Sequence, residues 1–247
     1  MLVVVISIVV MWILFKGLMY LMGVPLLSCV ISLACGCELY RRISKFISNK
    51  ITHDIEKAMD KIHRRNFPHA IEKFNQIKQR YKYLRLFLSR TIDGQIGIVY
   101  YMSLNYKKAP LYLERAMQTD WMAKTMLAVI AYKRKDYEKM DKIFSRLVRY
   151  MPRQSFLWSV WAYCHWRIGN IDRAISILNK GRDAFGAFRG YFGGYDKNIV
   201  ENLTCIRGGK KMKMGNYGQN WQLLNLEPAE VVRFPPGKSR FTIQGFK

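Results

Sequence analysis

Apolar residues run almost without interruption through the N-terminus of the chain. Residues 2–37 carry a single charged side chain, Lys16. One helix over this run would be ~54 Å long at ~1.5 Å per residue, whereas the hydrocarbon core of a bilayer is ~30 Å thick. Two interpretations remain. In one, a transmembrane hairpin turns near Gly23-Val24-Pro25; in the other, only residues 17–37 span the membrane, behind a short interfacial segment. We expect the hairpin.

Basic residues follow the apolar run at once. The membrane-proximal basic residues are Arg41, Arg42, Lys45 and Lys50. Because cytoplasmic flanks of membrane segments are enriched in Lys and Arg, the chain beyond this point is expected in the cytoplasm, against the inner membrane. This interpretation assigns residues 1–46 to the membrane.

A second pattern, with a step of 31 and then 34 residues, occupies the middle of the chain. Each occurrence begins with Asn or Asp and continues with small or apolar residues at helical spacing. The three occurrences are Asn105-Tyr106 with Ala109, Leu113 and Ala116; Asp136-Tyr137 with Met140, Phe144 and Leu147; and Asn170-Ile171 with Ala174, Leu178 and Gly181. Asn and Asp suit helix N-termini. A period in this range predicts stacked helical hairpins.

The register of these residues resembles the tetratricopeptide repeat (TPR) family over about residues 50–183. An earlier unit is plausible at Asn66-Phe67 with Ala70 and Phe74. The resemblance implies an all-α fold: about four hairpins in residues 47–183, behind the N-terminal transmembrane segment. The layout is similar to that of inner-membrane TPR subunits of the Pel exopolysaccharide and HemY types.

TPR proteins hold partner peptides on a concave face lined by the first helix of each hairpin, so the resemblance also implies a partner-binding groove. Its positions here are Ile98, Tyr101, Met102, Val129, Tyr132, Lys133, Tyr163, Trp166 and Arg167. Aromatic anchors beside Lys or Arg suit a partner with acidic groups. The alternative is that these aromatic residues pack against neighbouring helices or against the C-terminal tail.

Residues 184–247 depart from the repeat and are predicted to form a capping helix, at about 196–205, and a basic, irregular extension. The extension contains Trp221, Leu223, Leu224 and Phe234, which are too apolar for a solvated tail. We expect this part to be extended or in short strands, and ordered either on a partner or in the chain's own groove.

Charge and composition favour acidic partners and exclude several classes of site. The formal net charge is +24, with 41 basic and 17 acidic residues, which favours acidic partners. The five cysteines show no disulfide or zinc-binding pattern, and no catalytic set or nucleotide motif is present. We therefore expect no metal, no cofactor and no enzymatic activity.

The function that these patterns favour is a membrane-anchored TPR scaffold. It would bind an acidic protein partner at the cytoplasmic face of an envelope complex for secretion, pilus assembly or exopolysaccharide export. Two alternatives remain: a basic adaptor for nucleic acid or anionic lipid surfaces, and an accessory subunit of a larger membrane enzyme complex.

Overall fold

The computed structural model describes residues 2–22, 25–81, 88–186 and 196–227, and these parts are helical. The helices are α1 (Leu2–Met22), α2 (Pro25–His63), α3 (Phe67–Arg80), α4 (Leu88–Met102), α5 (Ala109–Leu113), α6 (Trp121–Lys133), α7 (Tyr137–Tyr150), α8 (Ser155–Ile168), α9 (Ile171–Gly186), α10 (Lys197–Arg207) and α11 (Gln219–Leu223), with a 3₁₀ helix at Met214–Tyr217. The predicted turn at Gly23-Val24 and the final twenty residues, 228–247, lie outside the described residues.

The first two helices pack against each other through small residues. Ser28, Ser32 and Gly36 recur every four residues on α2 and are buried. A Cβ atom at Gly36 would lie 3.2 Å from Met11 of α1. Small residues in such a row let two helix backbones approach closely. Most side chains elsewhere on α1, including Trp12 and Ile13, are exposed.

The predicted transmembrane segment is wrong. Within the described residues, the structure contains no helix with the length and apolarity that a membrane crossing requires. A crossing needs about 20 consecutive, predominantly apolar residues. In α2 the charged residues begin at Glu38 and continue to the end of the helix at His63. The predicted fold class is therefore corrected to a helical solenoid without this span.

The predicted stack of helical hairpins is confirmed by four turns of one geometry. They join α2 to α3, α4 to α5, α6 to α7 and α8 to α9. In each turn a residue with positive φ precedes an Asn or Asp; these residues are Arg65, Leu104, Lys135 and Gly169, with φ values of 56°, 60°, 61° and 94°. The backbone N–H of this Asn or Asp donates to the carbonyl oxygen five residues earlier, at 2.9–3.0 Å. The pairs are Asn66 to Lys61, Asn105 to Tyr100, Asp136 to Ala131 and Asn170 to His165. This bond satisfies a carbonyl group at the end of the first helix.

Side-chain caps begin several of the helices. Asp120 Oδ1 accepts from the amide of Ala123 at 3.1 Å, and Asp136 Oδ1 accepts from that of Lys139 at 3.0 Å. At α10, Asp196 Oδ1 accepts from Asn198 and Ile199. Each cap satisfies amide groups that the first helical turn leaves without an intrahelical partner. At the third hairpin turn, Asp136 therefore both ends the turn and starts the next helix.

Small residues set the distance between paired helices. At Gly97 a Cβ atom would lie 2.6 Å from the side chain of Leu113 and 2.9 Å from its backbone nitrogen. At Gly181 it would lie 2.8 Å from the ring of Trp158. Real Cβ atoms do not approach other atoms so closely, so these two positions require glycine.

Buried side chains form two clusters that meet at α4. The aliphatic cluster lies among α2, α3 and α4 and consists of Ile51, Ile55, Ala58, Ile62, Ala70, Phe74, Ile77, Tyr81, Leu88, Ile92, Ile96 and Val99. The aromatic cluster runs from α4 to the end of the described chain, and its ring-bearing members are Tyr101, Phe144, Phe156, Trp158, Trp161, Tyr163 and Trp221. The second cluster includes residues from α10, from the 3₁₀ helix and from α11, so the C-terminal part belongs to the same core.

Candidate partner-binding face

Four aromatic side chains from the first helices of successive hairpins form what we call the aromatic face. They are Tyr101 of α4, Tyr132 of α6, and Tyr163 and Trp166 of α8. Tyr101 and Tyr163 are fully buried, while Tyr132 and Trp166 are half-buried. The rings of Tyr163 and Trp166 lie 5.6 Å apart between centroids. All four positions belong to the groove that the sequence predicted.

Two basic side chains of the predicted groove lie at the edge of the aromatic face and are exposed. Lys133 Nζ lies 4.6 Å from the ring centroid of Tyr106 and 5.6 Å from that of Tyr101, and it donates to the hydroxyl of Tyr106 at 3.1 Å. Burial raises the pKa of Tyr132, while a hydrogen bond with Arg167 acts in the opposite direction. The face therefore has aromatic walls and cationic edges, which suits an anionic group on an apolar segment.

Residues 212–227 are called the C-terminal segment here, and its second part contacts the two buried rings of the aromatic face, Tyr101 and Tyr163. The ring of Trp221 meets that of Tyr163 edge-on, with centroids 4.7 Å apart, and Leu224 is fully buried. The hydroxyl of Tyr101 donates a hydrogen bond to the backbone carbonyl of Leu224. This hydrogen bond connects two buried residues that lie more than 120 positions apart in the sequence.

A carboxylate completes the contact. Glu227 Oε1 accepts from the hydroxyl of Tyr163 at 3.0 Å and from Lys211 Nζ at 2.8 Å. Burial alone would raise the pKa of Glu227, but the hydrogen bonds from Lys211 and Tyr163 outweigh it and hold the pKa below its usual value. Burial and the neighbouring carboxylate raise the pKa of Tyr163, so its hydroxyl stays protonated and able to donate. The aromatic face thus binds an ionised carboxylate in the structure.

The first part of the C-terminal segment, residues 213–217, has its own contacts with α8 and α10. The hydroxyl of Tyr217 lies 2.7 Å from Ser159 Oγ, and its ring packs edge-on against Phe156. Burial raises the pKa of Tyr217 to about 12. Asn202 Oδ1 accepts from the amide of Lys213 at 2.8 Å. These bonds tie residues 213–217 to α8 and α10, below the aromatic face.

The other predicted groove residues do not share the exposure of Lys133 and Arg167. Val129 is fully buried in the aromatic cluster, and Ile98 is half-buried against it. Met102 packs instead against the aliphatic cluster. The basic residues near the N-terminus are exposed on α2, where Arg41 and Arg42 pair with Glu38 at 3.3 and 3.0 Å, while Lys45 and Lys50 point outward.

Sequence reasoning did not identify Lys211, Glu227 or the Leu224 carbonyl as parts of this site. The signal that was available was the apolar character of Trp221 and Leu224 in a stretch otherwise rich in glycine and lysine. That signal predicted burial either on a partner or in the chain's own groove, and the structure places Trp221 and Leu224 against Tyr163 and Tyr101 of that groove. The acceptor of the Tyr101 hydroxyl is a backbone atom and leaves no trace in the residue types.

A polar group away from the aromatic face links α7 to α8 and α9. Asp141 Oδ1 accepts from Trp161 Nε1 at 2.6 Å and lies 2.8 Å from His165 Nε2, with Arg173 3.9 Å from the other carboxylate oxygen. Burial raises the pKa of the neighbouring Cys164, which makes its thiol a poor nucleophile. This polar group has a structural role, since it links three helices.

A cleft of about 450 Å³ lies between α5, α6 and α7, and two of its lysines are held by groups at the end of α5. Lys124 Nζ donates to the carbonyls of Leu113 and Glu114, at 3.0 and 2.9 Å, and Lys139 pairs with the Glu114 carboxylate at 2.8 Å. Lys124 therefore caps the end of α5. No group of three or more potential metal ligands occurs among the described side chains.

Comparisons with known proteins bear on the fold. No family model and no curated protein matches the chain. Among solved structures, it is similar to a tetratricopeptide repeat protein from Parabacteroides merdae ATCC 43184, at 15% sequence identity over 85% of this chain and 90% of that one, with a TM-score of 0.43. The TM-score and the sequence identity are too low to support a conclusion, so the TPR-like fold rests on the four hairpins and their shared turns. The resemblance to membrane-anchored subunits finds no support.

The coarse functional class follows from this fold. Stacked helical hairpins form the extended surfaces of protein–protein interaction scaffolds. Three statements stay predictions from the sequence: the absence of enzymatic activity, the location in the cell and the domain boundaries.

Proposed function

We propose that the chain is a protein–protein interaction scaffold whose aromatic face binds an acidic segment of a partner protein. One observation carries this proposal: the face already holds the Glu227 carboxylate, through the Tyr163 hydroxyl and Lys211, beside the ring of Trp221. A surface that satisfies a carboxylate next to an apolar side chain offers the same contacts to another chain.

The charges around the face support an acidic partner. Lys133 and Arg167 are exposed at its edge, and the chain as a whole carries a net charge of +24. Cationic edges increase the rate at which an acidic partner associates and determine its orientation, while the aromatic rings supply most of the binding energy. The partner would therefore present carboxylates together with apolar anchors.

Carbodiimide coupling tests this proposal, because the reagent joins a lysine amine only to a carboxylate in contact with it. The full chain is treated in a nuclease-digested extract of the cells that produce it, and the coupled peptides are mapped. We expect partner carboxylates on Lys133 and Lys211. The exposed Lys180 of α9 is the matched control. The intrachain product between Lys211 and Glu227 shows that the reagent has worked.

A variant connects the coupling to the aromatic face. Trp166→Ala removes a half-buried ring beside Tyr163 and should decrease partner coupling at Lys133 several-fold, with the helical melting curve nearly unchanged. Equal coupling at Lys133 and Lys180 would contradict the proposal. The coupling is repeated in an extract that has not been digested. Partner products that appear only in this undigested extract would favour the alternative of a basic nucleic-acid adaptor.

A further inference from the structure

We propose that residues 219–227 are a built-in competitor for the aromatic face, and that the partner displaces them with a segment of the same pattern. That pattern is an aromatic residue, a leucine or similar aliphatic residue, and a carboxylate at the spacing of Trp221, Leu224 and Glu227. The inference rests on the proposed function and deepens it, since it gives the partner a recognisable chemistry and the chain a closed state.

Three contacts define the pattern. Trp221 supplies a ring to the edge-on contact with Tyr163, Leu224 fills the apolar centre and offers its carbonyl to Tyr101, and Glu227 supplies the carboxylate for Tyr163 and Lys211. These anchors recur every three residues, and Gln222 and Asn225, which follow the first two of them, are exposed. A peptide from another protein can meet the same three requirements without further similarity.

The contacts also suggest where the competitor detaches. Gly218 has φ 56° and ψ −130°, a conformation that side-chain-bearing residues rarely adopt. It separates the 3₁₀ helix, which Tyr217 ties to Ser159, from α11 and Glu227. Helix α11 has only five residues, too few to be stable in water without the face beneath it. Release therefore swings residues 219–227 about Gly218 while residues 213–217 stay attached.

A tethered competitor lowers the affinity for a partner by the fraction of time for which the face is open. Because the segment is part of the chain, its effective concentration at the face is far above that of a free peptide. The structure thus predicts weak binding by the intact chain and stronger binding once the tethered anchors are removed.

A labelled synthetic peptide of residues 219–227 tests this inference by fluorescence anisotropy. The full chain is compared with the full-chain variant Trp221→Ala/Leu224→Ala, which opens the face, and with Gln222→Ala, whose side chain is exposed on the same segment. We expect the opened variant to bind the peptide about ten-fold more tightly or better, and the control to match the original chain. A peptide carrying Glu227→Gln should bind the opened variant more weakly. Equal binding by the opened variant and the original chain would overturn the inference.

A second variant keeps the test decisive if the opened chain does not fold. Glu227→Lys leaves both core side chains in place but sets a cation beside Lys211, and it should improve peptide binding about three-fold. No improvement in a folded Glu227→Lys chain would overturn the inference. Peptide binding without partner coupling at Lys133 or Lys211 would refute the proposed function alone. Coupling without improved peptide binding would refute only the competitor.

Discussion

The two buried clusters solve the same packing problem with different side chains. The aliphatic cluster joins α2, α3 and α4 mainly through isoleucines, and its two rings belong to Phe74 and Tyr81. The aromatic cluster uses tyrosine and tryptophan, whose hydroxyl and indole groups bind polar partners at the edge of an apolar contact. In the described residues, the aromatic cluster binds both a carboxylate and a backbone carbonyl of the C-terminal segment. The binding face therefore follows from the choice of side chains rather than from the hairpin fold.

The hydroxyl of Tyr81 shows the same distinction on a smaller scale. It donates to Asp54 Oδ2 at 2.9 Å, within the first hairpin and over 27 residues of sequence. The hydroxyl of Tyr101 donates to Leu224, at the far end of the described chain. The first bond stabilises one repeat, whereas the second connects the repeats to a segment outside them.

The largest effect is expected from core truncation. Phe74→Ala removes a fully buried ring from the aliphatic cluster and should cost about 3–5 kcal/mol of unfolding free energy. It should leave the C-terminal segment in place, because Phe74 lies in the other cluster. Denaturant unfolding measures the first quantity. The second is read from the 5-fluorotryptophan NMR line of Trp221, identified as the line lost in Trp221→Phe.

The matched variant is Leu224→Ala, which truncates a fully buried side chain of the aromatic cluster. It should cost about 2–5 kcal/mol and shift the Trp221 line. A shift of equal size in Phe74→Ala would show that the two clusters act as one unit, and the comparison would fail.

The sequence predicted the parts of this molecule that local chemistry determines. Asn105, Asp136 and Asn170 indicated the turns because the same residue can follow a left-handed position and start a helix. Gly181 belongs to the repeat register, and the structure shows the close contact with Trp158 that requires glycine there. The positive φ at Leu104 and Lys135 was not visible from residue type, because leucine and lysine rarely adopt it.

The aromatic groove was only half predictable. Tyr101, Tyr132, Tyr163 and Trp166 lie on the expected helices, but their cover depends on a contact between distant residues that no local pattern records. The transmembrane prediction failed for a different reason. The apolar run is divided between two helices, and in α2 the charged residues begin at Glu38.

Removing one tyrosine hydroxyl from each cluster tests how the two clusters differ. Tyr101→Phe leaves the buried carbonyl of Leu224 without this donor and should cost about 1–3 kcal/mol, with a shift of the Trp221 NMR line. Tyr81→Phe removes the corresponding hydroxyl in the aliphatic cluster and should destabilise the chain without moving that line. Thermal unfolding and the NMR spectrum are recorded on both variants. An unmoved Trp221 line in Tyr101→Phe would contradict the assigned role of this bond.

Turn substitutions test a feature that both clusters share. Arg65 and Lys135 occupy the left-handed position of the first and third turns, where glycine is less strained. Arg65→Gly and Lys135→Gly should each stabilise the chain by up to about 1 kcal/mol. Gly169→Ala should destabilise it by a similar amount, although nothing lies within 4 Å of the added Cβ atom. Unequal effects of the two stabilising substitutions in denaturant unfolding would show that the clusters differ in their backbones as well.

The smallest effect is expected from pH. The pKa of Glu227 lies below its usual value in the folded chain, so its contribution to docking is present above that usual value and is lost as the pH falls through the folded pKa. Lowering the pH from about 6 to about 3 should therefore move the Trp221 line towards its position in Leu224→Ala. Other carboxylates also titrate in this range, among them Glu38 and Glu201, whose pKa values are lowered as well. Glu227→Gln separates them, because this variant should lose the pH dependence of the Trp221 line while the remaining tryptophan lines still respond. If the line moves equally with and without the Glu227 carboxylate, acid acts on the aromatic cluster through other groups, and the contact with Lys211 contributes nothing to docking.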